Sequence, residues 1–296
     1  MLALEGHLWL RSGQEGRHQG TNMPFTLIRG RYRPLAGEPD GDSVRFLADN
    51  LDLWNRLEGR PARLGTGTST RNTVQLRLEG VDAIERGAIR PLSVEARDNL
   101  FRAIGFDAQA NPEPRGFILS RMTDDLAGRP ISFVFEGDPP EGDGEDVFLE
   151  AARLRPSANW RQASDGLAYP LYYNTLFADL RAELDQAIAA ARQNGRGYWP
   201  TDATLTGVIV QSRSDLSTIP PIWPKLWRRL DEYFMEDASL DGFVAFLEAR
   251  NERVDVLPMM EERGLQDLVE VRGSLVRLTE RPENIRLVAR AGRRSR

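Results

Sequence analysis

Carboxylates and arginines stand close to the ends of several predicted strands. These residues are Asp40, Asp42, Arg77, Asp82, Glu85 and Arg129. Successive side chains of a strand point to opposite faces, so Arg77, in the alternating run 74–79, leaves on the face opposite the apolar side chains. At Gly80 the alternation stops, and the next turn carries Asp82 and Glu85 close enough to share one site with an arginine. A hard cation prefers carboxylate and carbonyl oxygens, and guanidinium groups bind phosphodiesters, so these residue types indicate a metal-dependent site that cleaves phosphodiester bonds.

Each of these residues also has a purely structural interpretation. Asp40 and Asp42 are common turn formers, and Arg77 could form a surface ion pair that contributes little to stability. Arg129 could simply be a hairpin residue. We interpret the set as an intact active site because all of its members occur together.

The same residues resemble the motifs of the staphylococcal nuclease (thermonuclease) family. The similarity lies in the 40–43 segment, in Arg77 five residues before Asp82, in the 81–85 turn and in the 128–129 pair. It covers about residues 24–200. It implies an α+β fold in which a five-stranded OB-fold β-barrel is packed against helices.

The resemblance also implies the ligands of a cation. One divalent ion, Ca²⁺ with Mg²⁺ as the alternative, is expected on Asp42, Asp82 and the backbone carbonyl of Ala83, with Asp40 orienting the loop. Family members usually carry Thr and Pro where this chain has Ala83 and Ile84. We expect this change to weaken the geometry of the site without abolishing it, because the family ligand is a backbone carbonyl.

The remaining expected roles are catalytic and substrate-binding. Glu85 is expected to activate or position the attacking water, and Arg77 and Arg129 to clamp the scissile phosphate. Tyr172, in the aromatic segment 166–173, is the candidate for contact with a base or a terminal phosphate. The implied activity is a nuclease that hydrolyses single-stranded DNA or RNA and leaves 3′-phosphate ends.

Composition narrows the chemistry further. The 296-residue chain is 41% hydrophobic and 28% charged, and it contains no cysteine. Its two histidines, His7 and His18, both lie in the first 22 residues. Zinc fingers, thiol nucleophiles and Ser-His-Asp triads are therefore not expected in the body of the chain. The net charge of −5 argues against tight non-specific binding to duplex DNA.

A second interpretation remains open, namely a non-catalytic module of the same fold that binds nucleic acid or a protein partner. We divide the chain into a disordered extension (1–22), a nuclease-like domain (23–200) and a C-terminal α/β extension (201–296), which could dock onto a partner or a second copy. The terminal arginines, Arg290, Arg293, Arg294 and Arg296, could contact nucleic acid or form a solvated tail. Neither a signal peptide nor a bilayer-spanning run is evident, so we expect a cytoplasmic protein without membrane contact.

Periodicity and turn residues predict the main elements. Strands are expected at 25–32, 43–47, 74–79, 116–121 and 131–135. Helices are expected at 91–105, 147–153, 175–193, 221–235 and 240–250. The 48–73 segment is interpreted as a surface insertion, and Trp223 and Trp227 as core residues.

Overall fold

The computed structural model describes residues 23–124 and 126–289. The predicted extension 1–22, with both histidines, and the arginines from Arg290 onward lie outside these ranges. The strands are β1 (Phe25–Tyr32), β2 (Ser43–Ala48), β3 (Val74–Leu78), β4 (Gly80–Asp82), β5 (Arg115–Thr123), β6 (Pro130–Glu136), β7 (Asp146–Val147), β8 (Tyr169–Tyr173), β9 (Val208–Ile209), β10 (Arg253–Val256), β11 (Glu261–Gly264), β12 (Val269–Arg272), β13 (Leu275–Leu278) and β14 (Ile285–Leu287). The α-helices are α1 (Arg90–Ala103), α2 (Ala151–Leu154), α3 (Ala158–Ser164), α4 (Ala178–Gln193), α5 (Pro224–Tyr233) and α6 (Phe243–Arg250).

Five strands close into a β-barrel. They follow the order β2-β3-β6-β5-β1, and β1 pairs again with β2 to complete the circle. All neighbours are antiparallel except β3 and β6, which run parallel. In β3 the apolar side chains Val74, Leu76 and Leu78 are at most 1% exposed, whereas Gln75 and Arg77 between them are only partly buried. The prediction of a mixed α+β protein with a five-stranded barrel is confirmed, and the strand order is consistent with an OB-like barrel.

The chain leaves the barrel at Gly80, where the sequence predicted only a turn. Gly80 has a φ of +77°, and a Cβ atom at this position would lie 2.6 Å from Leu184 in α4. Both facts favour glycine, since a side chain would be strained and would also clash. The chain continues directly into β4, whose last residue is Asp82.

β4 belongs to a second sheet that contains strands from the C-terminal third of the chain. The order of this sheet is β11-β10-β14-β8-β4. β8 pairs with β4 through Tyr169 and Asp82, and on its other side with β14 through Tyr172 and Arg286. Residues beyond 201 are thus hydrogen-bonded to the strand that neighbours Asp82.

The short helix α3 was not predicted, and it supplies buried polar side chains instead of an apolar stripe. Asn159 is fully buried; its amide donates to the carbonyls of Glu79 (2.9 Å) and Ser132 (3.0 Å) and accepts from the N–H of Val134 (3.0 Å). These bonds satisfy backbone groups where β3 gives way to β4. Asn159 therefore fixes the position at which the chain turns toward Asp82.

The 48–73 segment is partly a core element. Its 3₁₀-helix, Leu51–Arg56, buries Leu53 and Trp54 against the barrel. In the C-terminal third, Trp223 and Trp227 are 1% and 9% exposed, as expected for core residues. Within residues 23–124 and 126–289, no helix is both long enough and apolar enough to cross a membrane.

Candidate active site

The Asp40–Gly41–Asp42 turn is held rigidly at the start of β2. Asp40 accepts hydrogen bonds from the Asp42 N–H (3.3 Å) and from the Ser43 hydroxyl (2.7 Å). A Cβ atom at Gly41 would lie 2.6 Å from the Cβ atoms of both Ala83 and Ala96, so only glycine allows this close approach. The turn is therefore packed directly against the residue that follows Asp82.

A fully buried glutamine in α3 completes this support. The Gln162 side chain donates to the carbonyl oxygens of Gly41 and of Ala96, the latter at 2.8 Å. Sequence reasoning missed Gln162, because a polar residue in a short helix carries no periodic signal of burial. It is a positioning residue for the turn that carries Asp42.

Four carboxylates, Asp40, Asp42, Asp82 and Glu85, form what we call the acidic cluster. One oxygen of Asp42 accepts from the N–H of Ala83 at 3.1 Å. Burial raises the pKa of Asp42 well above its usual value, and the negative charges of Asp40 and Asp82 raise it further. Asp82 behaves in the opposite way: burial acts to raise its pKa, but the Arg228 guanidinium outweighs burial and lowers it. The two carboxyl groups are thus driven toward different protonation states.

Arg228, in α5, is a basic residue bound to the acidic cluster that the sequence analysis did not identify. Its Nη1 donates to Asp82 Oδ1 at 2.9 Å and its Nη2 to Asp82 Oδ2 at 2.8 Å, which is a bidentate pair. Nη1 also donates to Glu85 at 2.5 Å. The Asp82 side chain is 1% exposed and the Arg228 side chain 27%. Because 146 residues separate the two partners, no local spacing indicates the contact.

Arg77 is the second guanidinium at the cluster. It lies at the end of β3, directly across from Ser43 at the start of β2, so the register places it beside the Asp40–Asp42 turn. Its guanidinium carbon is 5.9 Å from the ring centroid of Tyr173. Burial lowers the pKa of Arg77, but Tyr173 and Asp82 raise it more, so that the group stays charged. Two arginines therefore flank Asp82.

Glu85 connects the cluster to an open cleft. Burial raises the pKa of Glu85, and the Arg228 charge offsets this only in part. The cleft is wide open to solvent and has a volume of about 560 Å³. It is lined by the 85–87 turn and by residues from 213 to 231, including Arg213 and Trp227. Glu85 is thus a carboxyl group with a raised pKa that borders an open surface cleft.

Two of the predicted site residues do not meet the cluster. Arg129 pairs with Asp124 at 2.7 Å. The parallel register of β3 and β6 pairs Arg77 with Ile131, so Arg129 lies two residues back, toward the beginning of β3 and away from Asp82. Tyr172 is fully buried, and its hydroxyl donates to Asp185 at 2.7 Å. The tyrosine that lies beside Arg77 is the next residue, Tyr173.

The arrangement of the acids does not fit the expected calcium site. Both oxygens of Asp82 accept from Arg228, and an oxygen of Asp42 accepts from Ala83, whose N–H therefore points at the carboxylate. Among the residues that the structure describes, no group of three or more Asp, Glu, His or Cys is placed to hold a metal ion. The Ca²⁺ site, with Mg²⁺ as its alternative, stays a prediction from the sequence.

Comparison with known proteins adds no family assignment, because no family model and no curated protein matches the chain. The resemblance to the staphylococcal nuclease family stays a prediction from the sequence motifs.

Glu79, the residue between β3 and β4, makes the stability of the fold depend on pH. Glu79 is 5% exposed, and burial raises its pKa to about 7 despite the nearby Arg121 and Arg77. The folded protein therefore holds a proton that the unfolded chain releases near pH 4.5, so stability falls as the pH rises from about 4.5 to about 7. The shift corresponds to roughly 3 kcal/mol.

We expect Glu79→Gln to be more stable than the wild type at pH 8, with a difference that shrinks toward pH 5. Urea unfolding at both pH values measures this. Glu58→Gln, an exposed acid near the same Arg121, is the control and should show no such trend. A Glu79→Gln variant whose stability relative to wild type is independent of pH would contradict the assignment.

Proposed function

We propose that the protein hydrolyses phosphodiester bonds of DNA or RNA at the acidic cluster and its two arginines. The observation that carries the proposal is the position of Glu85, which lies between the cleft and the pair formed by Asp82 and Arg228. A carboxyl group with a raised pKa beside a cleft is a good candidate for a general base.

The chemistry follows from the charges around this group. Glu85 would take a proton from a water molecule as the water oxygen attacks phosphorus, and the bond from phosphorus to the 5′-oxygen would break. The 5′-oxygen then takes a proton from solvent, which leaves a 3′-phosphate and a 5′-hydroxyl. Arg77 and Arg228 would offset the negative charge that develops on the phosphoryl oxygens, since both remain charged beside Asp82. In this scheme Arg228 takes the role that was expected of Arg129.

A single-stranded nucleic acid is the substrate that the site suits best. Tyr173 beside Arg77 offers an aromatic ring next to a guanidinium, and aromatic rings stack on bases irrespective of sequence. On the cleft wall, Arg86 pairs with Glu38 and Arg213 with Asp231, and in both pairs the arginine is 53% exposed. Exposed pairs of this kind are weak, so a phosphate could compete for the arginines.

A second candidate is a non-catalytic module that binds nucleic acid or a protein partner. The observation that favours it is the bidentate pair between Arg228 and Asp82, which engages both oxygens of the carboxylate that was expected to bind the cation. Under this interpretation the cleft would bind a ligand without breaking a bond in it.

Two assays distinguish the two candidate functions. Cleavage of labelled single-stranded DNA and RNA is measured in EDTA, in CaCl₂ and in MgCl₂, and binding of the same substrates is measured by fluorescence anisotropy. We expect the wild type to cleave, and Arg77→Lys to cleave roughly tenfold more slowly, because a lysine keeps the charge and loses the planar fork of donors. Arg31→Lys, an exposed barrel residue, serves as the control. Binding without cleavage under all three conditions would favour the binding module.

A further inference from the structure

The contacts of Arg228 occupy the part of the site in which the sequence placed a cation. Its two terminal nitrogens bond one to each oxygen of Asp82, and one of them also bonds to Glu85. Asp82 is a carboxylate that the expected divalent ion would have to contact. The Asp82 side chain is only 1% exposed, so neither of its oxygens lies open to an ion from solvent.

Helix α5 holds this guanidinium in a fixed place. The Trp223 indole N–H donates to the carbonyl of Pro170 in β8 at 2.9 Å, and the Trp227 indole N–H donates to the carbonyl of Leu216, also at 2.9 Å. Pro170 is paired in register with Val81, the residue before Asp82. The helix that carries Arg228 and the strand that carries Asp82 are thus anchored to the same strand.

The other basic residues of this part of α5 pair with carboxylates outside the acidic cluster, and Arg229 also pairs with Glu232. Lys225 and Arg229 both bond to Glu252, at 2.5 Å and 2.7 Å. They lie one turn apart on one side of the helix, and Arg228 leaves toward the barrel. Of these three basic residues of α5, Arg228 is therefore the one that contacts the acidic cluster.

We propose that the Arg228 guanidinium is the resident cation of the acidic cluster and fills the position in which a divalent ion was expected. A guanidinium is charged at every pH at which the protein is folded, and its planar fork matches the two oxygens of a carboxylate. A divalent ion could enter only by displacing it or by lying beside a like charge, and both are unfavourable. The chain itself thus supplies a cation to Asp82 and Glu85, whether the site cleaves a ligand or only binds one.

Calcium binding to the full-length protein tests this without any assay of cleavage. Isothermal titration with CaCl₂, and thermal unfolding in EDTA and in CaCl₂, would be carried out on the wild type, on Arg228→Met and on Arg228→Lys. We expect no calcium binding by the wild type in the micromolar range and the same unfolding midpoint in both buffers. Arg228→Met should bind Ca²⁺ at least about tenfold more tightly than the wild type, and the added change Asp82→Asn should remove this gain.

Arg213→Met is the matched control, because Arg213 also pairs with one aspartate, Asp231, at 2.8 Å, but outside the cluster. It should gain no calcium affinity. Arg228→Lys keeps the charge and should remain close to wild type in affinity, which serves as a second test if Arg228→Met does not fold. Two results would overturn the proposal: calcium binding by the wild type that Asp82→Asn weakens, or a folded Arg228→Met that binds no more tightly than the wild type.

Discussion

Glu85→Gln is expected to lower the rate of phosphodiester cleavage by roughly 10²–10⁴-fold, the usual contribution of a positioned general base. Glutamine keeps the size of the side chain and can still accept from Arg228, but it cannot take a proton from water. Because Glu85 is partly exposed at the cleft while Asp82 carries the bidentate pair, the fold should be little affected. Single-turnover kinetics with labelled single-stranded substrate measures the rate directly.

Glu95→Gln provides the comparison, since Glu95 is an exposed acid on α1 outside the acidic cluster. It should cleave at the wild-type rate. The pH profile adds an independent readout, because the wild-type rate should rise as Glu85 loses its proton and the residual rate of Glu85→Gln should lack this limb. A Glu85→Gln variant with the wild-type rate would remove Glu85 from the mechanism.

Asp82→Asn is expected to lower the free energy of unfolding by about 2–4 kcal/mol. Breaking a buried ion pair by removing one partner leaves the other charge uncompensated, which typically costs about 3–5 kcal/mol. The value here should be somewhat smaller, because Arg228 keeps Glu85 as a partner and is 27% exposed. The NH₂ group of the asparagine would also place two hydrogen-bond donors next to the guanidinium of Arg228, which is itself a donor. Urea unfolding followed by circular dichroism measures the difference.

Two further variants make this result specific to the buried pair. Asp98→Asn breaks an exposed pair with Arg97, at 2.7 Å, and should cost less than about 1 kcal/mol. Asp82→Asn combined with Arg228→Met should be less destabilised than the sum of the single changes, since the uncompensated charge is then absent. Strict additivity of the two substitutions would contradict the role of the pair.

The individual strands of the barrel were predictable because their signal is local, whereas the closed barrel itself was expected only from the family resemblance. Alternation in the 74–79 run identified β3 and its buried face, and the turn residues placed Asp40 and Asp42 before β2. Antiparallel pairing then brings the beginning of β2 to the end of β3, so Asp42 and Arg77 meet through register alone. The approach of Asp82 to the same point depends on Gly80, whose positive φ turns the chain out of the barrel.

The remainder of the site depends on long-range register and packing. Arg228 reaches Asp82 because α5 is anchored on β8, a contact that no pattern within either segment encodes. Arg129 was predicted to lie at the site because it belongs to the 128–129 motif. The parallel pairing of β6 with β3 sets Ile131 opposite Arg77, so Arg129 lies two residues before the position that pairs with Arg77. Pro170 obscured the alternation in β8, so the sequence did not show which face each tyrosine occupies. A shift of one residue in a strand exchanges its two faces. For this reason Tyr172 was predicted at the site, although Tyr172 is buried and Tyr173 lies beside Arg77.

The most direct test of the proposed activity identifies the ends of its products. A defined single-stranded oligonucleotide would be incubated with wild type and with Glu85→Gln, in EDTA and in CaCl₂, and the fragments analysed by mass spectrometry. We predict fragments with 3′-phosphate and 5′-hydroxyl ends from the wild type, formed in both buffers, and only traces from Glu85→Gln. An intact oligonucleotide that remains bound to the wild type in both buffers would contradict the hydrolase and leave the cleft as a binding site.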